Sequence, residues 1–110
     1  MSRAVSAPPK TRRYPRIALP KGFLVAWQGR AGRAVSRIGS VALGGLFIYT
    51  TEPPPRGEII KLLFEIPGGE VRARAVVRNV QPGRGMGVEF TAMGSEARGR
   101  LAHLVRRLLR

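Results

Sequence analysis

The chain has 110 residues, no cysteine and one histidine, and its 20 lysines and arginines against 6 glutamates leave a formal charge of +14. That length fits one domain with a modest core and is too short for two, and the missing thiols exclude disulfides and thiolate metal sites. With His103 as the sole histidine and no aspartate at all, a His-based metal cluster or a Ser/His/Asp triad cannot be assembled, so catalysis is not expected.

Residues 1–11 carry Pro8 and Pro9 without an apolar period and read as a flexible arm. The stretch MSRAVSAPPKTRR lacks the apolar core of a secretory signal, and no run approaches the ~18 apolar residues of a spanning helix, so a soluble cytoplasmic protein is expected. RRYPR follows, three arginines in five residues between the arm and the first expected strand. Phe23 to Trp27 reads as a strand, Gln28 to Gly32 as a turn, and Arg33 to Ile38 as a second strand. Leu46 to Thr51, dense in β-branched and aromatic residues, is the strongest strand signal. Glu52 to Gly57 must be a loop, because its three consecutive prolines donate nothing to a ladder. Ile59 to Ile66 and Val71 to Val80 form a hairpin around Pro67-Gly68-Gly69-Glu70. Val71, Ala73, Ala75 and Val77 share one face of the return strand, with Arg72, Arg74 and Arg78 on the other. Gln81 to Arg84 turns again, and Met86 to Thr91 is the last strand. Such short strands in so few residues suggest a small antiparallel barrel or sandwich, with Phe23, Trp27 and Phe47 in its core.

The tail changes period. Ala97, Leu101, Leu104, Val105 and Leu108 form one helical stripe, with Ser95 as the expected N-cap and Glu96 and the terminal arginines matching the helix dipole. The helix either closes the barrel or presents a basic amphipathic face to a membrane or partner; His103 beside the stripe reads as a partly exposed packing residue.

Arginine carries nearly all of the charge, since only Lys10, Lys21 and Lys61 are lysine. Such a field attracts nucleic acid, anionic lipid headgroups or a phosphorylated small molecule. The alternative is an arginine-rich composition spread over ordinary solvated faces. The sparse aromatics offer no base-stacking platform, which argues against nucleic acid as the partner.

RRYPR, SVALGGLF and GMGVEF, in that order and with this strand pattern, resemble the PilZ domain family from Arg12 onward. The resemblance implies one domain over 12–110, a six-stranded antiparallel β-barrel (strands over about 21–91) with a C-terminal helix over about 95–109. It implies a non-catalytic receptor for cyclic di-GMP, and a protein partner such as pilus, flagellar or secretion machinery. The family's ligand signature is RxxxR followed by [D/N]xSxxG. Arg12 and Arg16 match the first motif, with Arg13 as a basic neighbour. A guanidinium fork suits both the O6/N7 edge of guanine and a phosphate, and its flat face stacks on purines.

The second motif departs from the pattern. Anchoring its glycine on Gly45 places Ser40 at the Asp/Asn position and Ala42 at the Ser position. A hydroxyl cannot accept both the N1–H and N2–H donors of guanine as a carboxylate does. The charge-assisted bond is worth about 1.5–3 kcal/mol and the serine bond about 0.5–1.5, together roughly thirty-fold to over a thousand-fold in affinity. The expected function is therefore cyclic di-GMP binding in weakened or altered form, through Arg12, Arg13, Arg16, Ser40, Ala42 and Gly45. The alternative is an adaptor that acts through protein contacts without nucleotide.

Overall fold

The computed structural model describes residues 16–109. The expected arm over 1–11, Arg12 and Arg13 lie outside the described residues. The elements in chain order are β1 (Ile17–Ala18), β2 (Leu24–Gly29), β3 (Gly32–Ala42), β4 (Gly45–Tyr49), β5 (Ile59–Ile66), β6 (Gly69–Gln81), β7 (Gly85–Met93) and α1 (Ser95–Leu108). The sheet runs β1-β3-β2-β5-β6-β7-β4, and pairing of β3 with β4 closes it. Six strands thus form the antiparallel barrel that the sequence led us to expect, with β1 as an extra strand laid on β3.

β3 can serve three neighbours because it is long and changes partners along its length. Its first half, Gly32 to Arg37, pairs with β2; its second half, Ile38 to Ala42, pairs with β4. A bulge at Gly39 separates the halves, so Ile38 lies opposite Ile48 but Ser40 lies opposite Phe47. Further irregularities fall where β6 and β7 pair, around Arg74/Ala75 and Val77/Asn79.

Ile38, Leu46, Ile48, Ile60, Met86 and Leu101 fill the barrel with less than 2% of each exposed. In β6, Val71, Ala75 and Val77 point inward while Arg72, Arg74 and Arg78 face solvent, as period two requires. Val76 is also buried, outside the core cluster, beside the point where Gly57 N–H donates to the Val77 carbonyl and Val77 N–H to that of Glu58. The proline-rich loop therefore packs back on β6.

The helix seals the interior. Its stripe of Ala97, Leu101, Leu104 and Val105 belongs to the same core cluster as the strands, and it packs on β6 and, less extensively, on β5. At the β5–β6 turn, Gly68 (φ 103°) and Gly69 (φ 139°) adopt backbone that side chains disfavour. A Cβ on Gly69 would lie 2.9 Å from Arg100 Nε, and Arg100 Nη1 donates to the Glu70 carbonyl at 3.0 Å. The bare turn is what admits this anchor of α1.

Several expectations need correction. Gln28, Gly29 and Gly32 belong to strands rather than to the turn, because β2 and β3 stay paired to the Gly29–Gly32 rung. The N-cap is Gly94, extended and without a side-chain cap bond, so Ser95 is already the first helical residue. His103 is exposed, turned away from the apolar stripe. Phe47 does not point into the core; Leu46 and Ile48 take the inward positions on either side of it.

Candidate functional site

The two arginine- and glycine-bearing motifs, far apart in sequence, meet through the shortest strand. β1 places Ile17 opposite Val41 and Ala18 opposite Ser40, and Leu19 N–H donates to the Gly39 carbonyl at 3.0 Å. The last arginine of RRYPR, Arg16, is thereby fixed one residue before the pairing to the SVALGG stretch.

Directly opposed residues share a face, so the registers trace a row across the outside of the barrel. It runs Ala18, Ser40, Phe47, Gly87, Asn79 over β1, β3, β4, β7 and β6. Arg16 reaches into this row: its Nη2 lies 3.6 Å from where a Cβ on Gly87 would stand, and Asn79 Cβ lies 3.5 Å from the same point. A guanidinium, the Asn79 side chain and a stretch of bare backbone therefore meet at Gly87, with the half-buried Ser40 two strands further along the row, beyond Phe47. Those groups supply donors and acceptors for a polar, anionic ligand.

One flank of the row is aromatic. Phe47 and Tyr49 meet edge to face, with centroids 5.4 Å apart and planes at 80°. Arg37 lies 4.7 Å over the Tyr49 ring and Arg84 5.9 Å over the Phe47 ring, both within cation–π range. Glycines make the space: a Cβ on Gly39 or on Gly85 would lie 2.8 Å from the Tyr49 or the Phe47 ring, respectively. On the other flank, Arg78 Nε donates to Glu89 Oε1 at 2.6 Å in an exposed ion pair.

Of the residues expected at the site, Arg16 and Ser40 are brought together on this face. Ala42 ends β3 opposite Gly45; it is 6% exposed yet outside the core cluster, and its methyl offers no hydrogen bond. Gly45 has a structural reason to be glycine, since a Cβ there would press on the Val88 carbonyl and lie 3.2 Å from Glu89 Cα. Arg12 and Arg13 precede the described residues. Phe47, Asn79 and Gly87 were missed in the sequence. Two glycines, Gly85 and Gly87, at the head of the last strand were the available signal for close approach. No group of three or more His, Cys, Asp or Glu side chains among the described residues could hold a metal ion.

The barrel with its sealing helix and the meeting of the two motifs define a ligand-binding class of small β-barrel domain. The family model for the PilZ domain matches residues 10–107, and the chain belongs to that family. Among solved structures, the complex of MrkH with c-di-GMP from K. pneumonia is similar at a TM-score of 0.76 and 18% identity, covering 90% of this chain and 52% of that one. The inhibitor of motility MotI/DgrA of Bacillus subtilis is similar at 0.72 and 21%, with 90% and 52% covered. The PilZ domain of YcgR from Escherichia coli, with c-di-GMP, is similar at 0.71 and 15%, with 89% and 91% covered. The chain thus spans about half the length of the first two and nearly all of the third. No curated protein sequence matches it. Among the described residues, no helix is long and apolar enough to cross a membrane.

Proposed function

We propose that this PilZ domain is a non-catalytic cytoplasmic receptor for cyclic di-GMP, with the nucleotide held on the outer row between Arg16 and Ser40. The observation that carries this reading is the β1–β3 pairing, which sets Arg16 beside the SVALGG strand. The likeness to the c-di-GMP complexes of YcgR and MrkH supports it. Arg16, with Arg12 and Arg13 upstream, donates to guanine edges and phosphates, while the backbone from Ser40 to Gly45 frames the base. Ser40 accepts one guanine donor where a carboxylate would accept two, so binding is weak.

Calorimetric titration with cyclic di-GMP tests this. Wild type is expected to bind weakly, and Ser40→Asp with Ala42→Ser to bind roughly thirty-fold to a thousand-fold more tightly. A folded double variant that takes up no ligand would overturn the reading.

A second reading rests on the same two positions. With Ser40 and Ala42 in place of carboxylate and hydroxyl, the domain acts as an adaptor that docks a protein such as pilus, flagellar or secretion machinery. In that case Arg16→Ala leaves partner capture unchanged.

A further inference from the structure

A groove of about 760 Å³ crosses the outer face of the barrel over β3, β2, β5, β6 and the end of β7. Its walls are two rows of outward side chains, each in register across the strands. One row runs Val35, Ala26, Leu63, Arg72; the other runs Arg33, Gln28, Lys61, Arg74. The first wall is mainly aliphatic, and the small Ala26 between Val35 and Leu63 deepens it. Val35 is 68% exposed, Leu24 beside this wall is 52% exposed, and Ile59, beyond the second wall, is 54% exposed. None of Arg16, Ser40, Phe47 or Gly87 lines this groove.

The second wall works against the fold. Lys61 and Arg74 are direct cross-strand partners, an arrangement that destabilises a sheet. The ion pairs among the described residues join Arg72 to Glu70, Arg78 to Glu89 and Arg100 to Glu96. None of them reaches Arg33, Lys61 or Arg74. A local conflict left uncompensated beside exposed apolar surface is the pattern of a binding site.

We infer that this groove docks an acidic amphipathic α-helix of a partner protein. Aliphatic side chains of the helix lie against Val35, Ala26 and Leu63, and its carboxylates meet Arg33, Lys61 and Arg74. Charge complementarity names the occupant: a second copy of this chain, at +14, would be repelled. Geometry names the helix. β2 and β5 are paired along both edges here, so no strand can be added. An extended peptide would bury its own N–H and C=O groups against side chains, whereas a helix satisfies them internally. Four inter-strand spacings of about 4.8 Å give about 19 Å, room for about 13 helical residues. Nucleic acid would find no stacking surface, because the indole of Trp27 is buried and its Nε1 donates to Ser36 Oγ at 3.0 Å.

Selection of displayed random peptides, long enough for about four helical turns, on the wild-type domain tests the inference. Enriched peptides are expected to combine Asp or Glu with Leu, Ile or Val at helical spacing. As synthetic peptides they should shift the amide resonances of Ala26, Val35 and Leu63. Binding should weaken about ten-fold or more in Val35→Glu and in Lys61→Glu with Arg74→Glu, and stay unchanged in Arg106→Glu on the helix. Retention of the fold in each variant is read from the amide spectrum itself. The inference is overturned by an absence of enrichment, by winners without acidic residues, or by winners indifferent to both groove variants. It is equally overturned if a single-stranded oligonucleotide or phosphatidylglycerol vesicles shift the same amides at lower concentration than the peptides do.

Discussion

On the face built by β3, β4, β7 and the end of β6, Arg84 lies over Phe47, Arg37 over Tyr49 and Arg78 against Glu89. On the face built by β2, β5 and β6, Lys61 stands opposite Arg74, and among the described residues no carboxylate forms an ion pair with either. Both faces are basic, and the total charge does not distinguish them. Their partners do. The first face uses arginine as packing material around aromatic rings, with glycines thinning the backbone to make room. The second sets its cations beside aliphatic surface and beside each other. In a chain this rich in arginine, each guanidinium has to be judged by what it touches.

The sharpest break in this comparison comes from glycine. Gly45→Ala drives a Cβ into the Val88 carbonyl, a backbone contact that cannot yield without opening the β4–β7 ladder. A loss of about 3 kcal/mol is expected in urea denaturation. Gly29→Ala, at the end of β2, meets Ile60 Cγ2 at an ordinary 3.4 Å and the tip of the Glu58 side chain, whose Oε2 lies 2.5 Å from the new atom and can swing away at the loss of its bond from Arg30 N–H. Its loss should stay under about 1 kcal/mol.

Ligand binding separates the faces next. Arg16→Ala should weaken cyclic di-GMP by about ten-fold to a hundred-fold, as one charge-assisted contact is lost. Lys61→Ala should leave that affinity within about two-fold, since it lies on the other face. Equal losses in both titrations would reduce the site to diffuse electrostatics. Smaller still, Arg84→Ala should cost about 0.5–1 kcal/mol in thermal unfolding by uncovering Phe47. The smallest effect has the opposite sign. Lys61→Glu turns a like-charge rung into an ion pair with Arg74 and should stabilise the domain by roughly 0.2–1 kcal/mol. A destabilised Lys61→Glu would show that the second face supports the fold as much as the first does.

Much of the barrel was legible before the structure. Ile59 to Ile66 is a strand with the bounds read from its sequence, because β-branched residues end there at a Pro-Gly turn. The helix was legible from its change of period. β1 was not, since two residues have no propensity to speak of and exist as a strand only because β3 offers an open edge there. Phe47 was misplaced because GLFIY is apolar throughout, and periodicity cannot assign faces to such a run. Of the candidate site, Arg16 and Ser40 were expected from motif spacing, and the structure places both on the outer row. Asn79 and Gly87 were invisible, because only the register of β6 and β7 brings them beside Arg16. The groove is invisible for the same reason, being a product of strand pairing rather than of any one stretch.

The bulge at Gly39 also resets parity. Before it, β3 shows solvent its odd residues, Arg33, Val35 and Arg37; after it, even-numbered Ser40 faces out and Val41 faces in. A single inserted residue thus lets one strand write two unrelated surfaces, the groove wall with its odd positions and the ligand row with its even ones. Ironing out the bulge with Gly39 kept in the ladder would turn Ser40 toward the core and Val41 toward water, and erase one surface while sparing the other, whereas deleting Gly39 would leave both residues facing as they do.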